Sequence, residues 1–239
     1  MIIFFVFNLF ETFYFPNSYK AIPQFNPAGA FEKDYKITVG GGESYGLPDL
    51  RTAFLITQLK NYQVNLRTFG NTFYRENLLE LAGAYAIKDE FGVGFGLDFL
   101  NYWIKDNANR FTYSFKLGCL YKTPPVKIWV VLKNLNQPRF SEIDYLPVLY
   151  WVGLNYKIGK DFSFYLNIGG IENRLPFFNF GLILAPLNIL QLSGGMNTEN
   201  FSFEYGLEFL LGKISLGYSG SSHQQLGLTH YLNITFHHQ

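Results

Sequence analysis

The chain has 239 residues, a formal net charge of +1 and no basic stripe, which argues against a nucleic acid as partner. Aromatic residues make up 19% of it and charged residues 15%, against roughly 25% charged in an ordinary soluble domain. The single cysteine excludes an internal disulfide and a cysteine-built metal centre, and no apolar run reaches the roughly 18 residues of a spanning helix.

The chain opens on MIIFFVFNLFETFYF, an apolar and aromatic stretch with no Lys or Arg before it. It reads as an irregular export signal, and the competing reading is an apolar segment of the mature protein. Asn26-Pro27-Ala28-Gly29 is a turn, because proline presets its own φ and glycine accepts backbone conformations closed to other residues. Residues 1–32 lack a clear period and form an N-terminal segment, whereas 33–239 form one β domain. Within it strands are predicted at 35–42, 50–59, 62–74, 77–87, 91–104, 110–122, 126–134, 147–158, 161–171, 174–185, 187–196, 200–211, 213–219 and 223–236, fourteen in all.

The alternation is clean in several of them. Phe91, Val93, Phe95, Leu97 and Phe99 oppose Gly92, Gly94, Gly96 and Asp98. Near the end of the chain, Phe201, Phe203, Tyr205, Leu207 and Phe209 oppose Ser202, Glu204, Gly206 and Glu208. Successive side chains of a strand point to opposite faces, so each segment has one oily and one polar face. The connections alternate too. Lys60-Asn61, Thr123-Pro124-Pro125, Gly159-Lys160, Pro186 and Gly212 mark tight turns, and the intervening loops are longer, up to 137–146. Tight turns at one end and longer loops at the other are the pattern of an all-β, transmembrane antiparallel barrel.

A soluble sandwich with its oily faces inward is the alternative. Two features favour lipid. The polar faces are rich in Gly, Ala, Ser and Asn rather than Lys and Glu, and Tyr113, Tyr121, Tyr150 and Tyr156 stand near strand ends as an interfacial belt would.

Scattered motifs occur in a consistent order: Asn26-Pro27-Ala28, Tyr74-Arg75-Glu76, Asn134-Leu135 with Pro138, Leu146-Pro147 followed by Gly153-Leu154-Asn155-Tyr156, and Thr229-His230. In these the chain resembles the PorV/PorQ-like outer-membrane proteins, relatives of the FadL-type fatty-acid transporters. The resemblance implies a fourteen-stranded barrel in the bacterial outer membrane and no catalysis. It also implies an N-terminal segment that acts as a lumenal hatch, with Asn26, Pro27, Ala28 and Gly29 as its candidate residues.

By parity the lumen-facing charges are Arg67, Glu80, Asp98, Lys116, Lys127, Lys133, Lys157, Glu204 and Glu208. They form either a polar pathway or an anchor for the hatch. The plainer expectation is internal ion pairing, since buried charges need partners first. Gly92-x-Gly94-x-Gly96 is not followed by a helix, so it is no nucleotide loop and instead makes room on an inner face. His223, His230 and His237 alternate faces and cannot converge on a metal, and no cofactor is called for. His230 is the anomaly, sharing a face with Leu228, Leu232, Ile234 and Phe236. It marks either a bulge near Gly227 that flips the parity or a face that meets another protein or the barrel's own N-terminus, and the bulge is the reading adopted.

Three functions fit this sequence. The first is a PorV-like protein that supports secretion or surface attachment, with secretion-system proteins as partners. The second is a FadL-like conduit for a hydrophobic ligand. The third is a soluble β protein binding an apolar ligand.

Overall fold

In the computed structural model, the structure describes residues 25–32, 35–142, 145–199, 201–224 and 226–238. The apolar opening stretch read as an export signal lies outside them. The strands are β1 (Tyr35–Glu43), β2 (Arg51–Leu59), β3 (Tyr62–Gly70), β4 (Tyr74–Lys88), β5 (Phe91–Ile104), β6 (Ala108–Thr123), β7 (Val126–Lys133), β8 (Leu149–Ile158), β9 (Phe162–Ile171), β10 (Phe177–Leu187), β11 (Leu190–Asn197), β12 (Ser202–Leu211), β13 (Ile214–His223) and β14 (Gly227–His238). These fourteen strands close into one barrel in which each pairs antiparallel with its chain neighbours and β1 pairs with β14.

The oily faces point outward. Phe95, Phe99, Leu117, Val152, Phe180, Leu182, Phe203, Leu216, Leu232 and Ile234 are all exposed on the wall. The alternate residues Asn65, Asp98, Ser114, Asn167, Asn179, Ser202, Ser215 and Thr229 are buried inside. A water-soluble sandwich would have the reverse arrangement, so the soluble reading falls. The protein is an all-β transmembrane barrel of the bacterial outer membrane, its backbone groups satisfied strand to strand with no free edge.

Tyr35 pairs with His238, so β1 starts and β14 ends on the side that also carries the tight turns. Short turns mark the periplasmic side of such barrels and longer loops the extracellular side. The wall is uneven: β4, β5 and β6 have 15, 14 and 16 residues, whereas β7 has 8. β7 pairs with β6 only from Lys116 to Thr123, so residues 108–115 of β6 continue past it on the extracellular side.

Several predicted boundaries shift. β13 runs on to His223, through a Ser-Gly-Ser-Ser stretch that resembles a turn, because Ser219 and Ser221 face the lumen and are buried there. Pro186 lies within β10, where the register against β11 slips between Leu184 and Leu187, a place where a residue without an N–H fits. The bulge expected near Gly227 is absent. The β13–β14 register is unbroken from Gly227 to Phe236, and β14 keeps register with β1 from His230 to His238. His230 therefore stays on the outer face, its Nδ1 2.6 Å from the Tyr218 hydroxyl and its ring stacked on that of Tyr218. A neighbouring phenol, not a flipped strand, is what accommodates an imidazole there.

Candidate functional site: the filled lumen

The lumen holds three layers along β4–β8. The lowest is chain: Pro27–Glu32 forms a short 3-10 segment inside the barrel, against β4, β5 and β6. Asn26 is fully buried and starts it. Its Nδ2 donates to the Cys119 carbonyl at 2.9 Å, and its Oδ1 accepts from the Ala28 N–H at 2.9 Å. The segment fits because the wall beneath it is glycine at Gly94 and Gly118. A Cβ on Gly94 would run into the backbone of Pro27 and Ala28, and one on Gly118 would strike Asn26 and come within 2.9 Å of the Pro27 ring. Ala28 and Phe31 pack with Leu120, Trp129, Val131 and Trp151 on the inner wall. At the periplasmic end, Glu32 Oε1 accepts from Lys127 at 2.9 Å and Lys122 at 3.2 Å. Burial pushes the Glu32 carboxyl up, but Lys127 and then Lys122 outweigh it and hold the group below the usual carboxylate value.

The second layer is charged. Lys116 Nζ lies 2.6 Å from Glu80 and 3.5 Å from Asp98, with all three side chains at most 2% exposed. Lys133 is the register partner of Lys116, and Arg67 lies in the field of the same two carboxylates. The Arg67 guanidinium stands 3.4 Å over the ring of Phe25, so this layer also grips the upper end of the lumenal segment.

The third layer is apolar. The connection between β7 and β8 folds inward and puts Phe140 and Leu146 against Leu78, Leu100 and Tyr102 on the inner face of β4 and β5. Tyr102 and Phe140 meet edge to face at 4.8 Å. Side-chain amides hold the connection. Asn134 Nδ2 donates to the Pro147 carbonyl at 3.0 Å, and Gln137 Nε2 donates to Glu172 at 2.7 Å. Asn136 bonds to both Tyr113 and Phe115 on the part of β6 that β7 leaves uncovered.

The nine predicted lumenal charges do not share one place. Arg67, Glu80, Asp98, Lys116 and Lys133 make up the charged layer, and Lys127 holds Glu32 at the periplasmic end. Glu204 accepts from Asn179 at 2.9 Å, and Asn179 accepts from Asn167 at 3.1 Å, a ladder on the opposite wall. Lys157 is exposed near the end of β8, and Glu208 lies partly buried on β12. Sequence parity missed Glu76, which is fully buried and accepts from the Tyr74 hydroxyl at 2.8 Å, because Tyr74-Arg75-Glu76 reads as a loop and is the start of β4. It missed Glu32 and Lys122 as well. One signal pointed to the filling: in β7 both Ile128 and Val130 on one face and Trp129 and Val131 on the other are apolar, so the lumen beside it had to be dry.

Among the described residues, no group of three or more His, Cys, Asp or Glu side chains is placed to hold a metal ion. The lumen is a wall with a filling, and the protein is a membrane barrel.

No protein-family model and no curated protein sequence matches the chain. Solved structures do resemble it in fold. The monoaromatic hydrocarbon channel CymD is 10% identical with a TM-score of 0.65, over 91% of this chain and 92% of that one. The Ralstonia pickettii toluene transporter TbuX is 11% identical with a TM-score of 0.59, over 91% and 92%. The Acinetobacter baumannii outer membrane protein Omp33 is 11% identical with a TM-score of 0.59, over 86% and 99%. At these identities the likeness is one of fold.

Proposed function

We propose that the protein conducts small hydrophobic molecules across the outer membrane, entering at the extracellular mouth through the nest of Leu78, Leu100, Tyr102, Phe140 and Leu146. The observation that carries this reading is an apolar, aromatic cluster on an inner wall where a water-filled pore would be polar. Similarity in fold to a toluene transporter and a monoaromatic hydrocarbon channel supports it. The segment from Phe25 to Glu32 is the hatch, and the charged layer holds it in place. A solute leaving the nest then passes only when that segment moves, because a charged shelf and a packed segment lie directly below.

The test is uptake of radiolabelled toluene by cells with an intact outer membrane. Cells producing the barrel take it up several-fold faster than cells without it, and Phe140→Asp returns uptake to background. Equal uptake with and without the protein, when unboiled gels show the folded barrel present, ends this reading. A role in secretion or surface attachment rests on the ordered motifs alone. Co-purification of an exported protein with the barrel, together with absent toluene uptake, would move the assignment to that role.

A further inference from the structure

The outer wall carries a second feature, unrelated to the lumen. At the extracellular ends of β1–β4 the register sets Glu43 opposite Arg51, Arg51 opposite Gly70, and Gly70 opposite Arg75. Strand parity turns this whole row outward. Strands lie about 4.8 Å apart, so the two arginine backbones stand about 10 Å apart with only glycine between them. Gly70 has φ +111°, and a Cβ there would collide with the Tyr74 carbonyl, so the gap is fixed by the backbone. The result is a polar notch of about 500 Å³ lined by Arg51, Arg75, Glu43 and Thr68. Arg51 donates Nε to Glu43 at 3.1 Å. Arg75 is exposed and makes no ion pair among the described residues, which leaves the notch with net positive charge.

Directly below, and sharing Ala53 and Thr68 with the notch, an apolar furrow of about 620 Å³ runs down the wall between Leu55, Leu66, Leu79 and Phe99. Its level in the bilayer follows from the strands. The arginine row is eight residues along from the row of Tyr62, which at roughly 3.4 Å per residue and a tilt near 40° is about 20 Å. That places the guanidinium groups at the upper edge of an apolar band about 25 Å tall, with the furrow inside it. Paired guanidinium groups at that edge match a phosphate, and a furrow beneath them matches acyl chains.

We propose that notch and furrow together bind a phosphorylated lipid of the outer leaflet, with its phosphate between Arg51 and Arg75 and its chains along Leu55, Leu66 and Leu79. The furrow is what assigns the site to a lipid rather than to a free anion. The test is native mass spectrometry of the detergent-solubilised barrel, titrated with diphosphoryl lipid A, with dephosphorylated lipid A and with inorganic phosphate. Wild type binds diphosphoryl lipid A, and removing the phosphates weakens binding. Arg51→Ala/Arg75→Ala weakens it about 30-fold, roughly five-fold for each arginine at the interface. Arg51→Lys/Arg75→Lys falls between, because lysine keeps the charge and loses the planar fork. Millimolar inorganic phosphate leaves lipid binding unchanged. The proposal is overturned if the double alanine variant binds as wild type does, or if inorganic phosphate displaces the lipid fully, which would make this a small-anion site. An unboiled gel shift establishes that each variant is folded, and Arg75→Ala alone serves if the double variant is not.

Discussion

Lys116→Met tests the charged layer most directly, because it removes the cation that bridges Glu80 and Asp98 and leaves a side chain of similar length. At an effective dielectric constant of about 20, attraction across 2.6 Å and 3.5 Å amounts to about 6 and about 5 kcal/mol. Burying the ammonium group offsets several kcal/mol of that. Removing one partner of a buried pair costs about 3–5 kcal/mol, since the orphaned charge stays behind. Lys133 and Arg67 remain nearby and compensate in part, which puts the expected loss near 3 kcal/mol. The assay is urea unfolding of the refolded barrel in liposomes, followed by the mobility difference of unboiled samples. Adding Glu80→Gln to Lys116→Met removes the uncompensated carboxylate and restores about half of the loss. A loss below about 1 kcal/mol for Lys116→Met, or no recovery in the double variant, would mean that water screens these groups and the layer is not dry.

Three further outcomes are expected from the same geometry. The Glu32 carboxyl lies below its ordinary value, so its hold on Lys127 and Lys122 is complete above that value and is lost as pH falls through the lowered one. Emission from Trp129 and Trp151, which pack with Phe31, changes in acid below the usual carboxylate range; Glu32→Gln abolishes the transition, and a midpoint at or above the ordinary value counts against the latch. Gly118→Val drives a side chain into Asn26 and Pro27 and dislodges the lumenal segment, raising single-channel conductance in planar bilayers, whereas Gly194→Ala, with open space around it, leaves conductance unchanged. His230→Leu places an apolar residue on an apolar wall and removes one contact to Tyr218, so barrel stability by urea unfolding stays within about 1 kcal/mol of wild type.

The fold was legible because two periodicities agreed. Alternation in segments such as 91–99 and 201–209 fixed the strands, and the contrast between tight turns and longer loops fixed the barrel. Parity also placed Glu80, Asp98 and Lys116 inside, but it could not bring them together, because contact across β4, β5 and β6 depends on register and register is a property of pairs of strands. The boundaries failed where lumen and loop have the same composition. Ser219–Ser222 resembles a turn in any solvent-exposed setting and is ordinary strand when its inner face is polar. Glu32 was out of reach for a different reason: its partners lie about ninety residues away, at separations of 90 and 95. The inward fold of the connection between β7 and β8 was hidden as well, since Phe140 stands alone among polar neighbours and the stretch shows no alternation.

The long β6 beside the short β7 gives the molecule a compass direction. Residues 108–115 rise roughly 20 Å beyond the last rung shared with β7, at about 3.4 Å per residue along a tilted strand. The mouth is thus cut on a slope, with a parapet on the β4–β6 side and a low sill from β7 onward. The inward-folded connection leans on the parapet, through Asn136 on β6 and Phe140 on Tyr102. On the proposed reading, a solute dissolved in the outer leaflet would meet the sill near the membrane surface on one side and a sheer wall on the other. Neighbouring proteins in a crowded membrane will therefore obstruct the entrance or leave it clear according to which flank they adjoin.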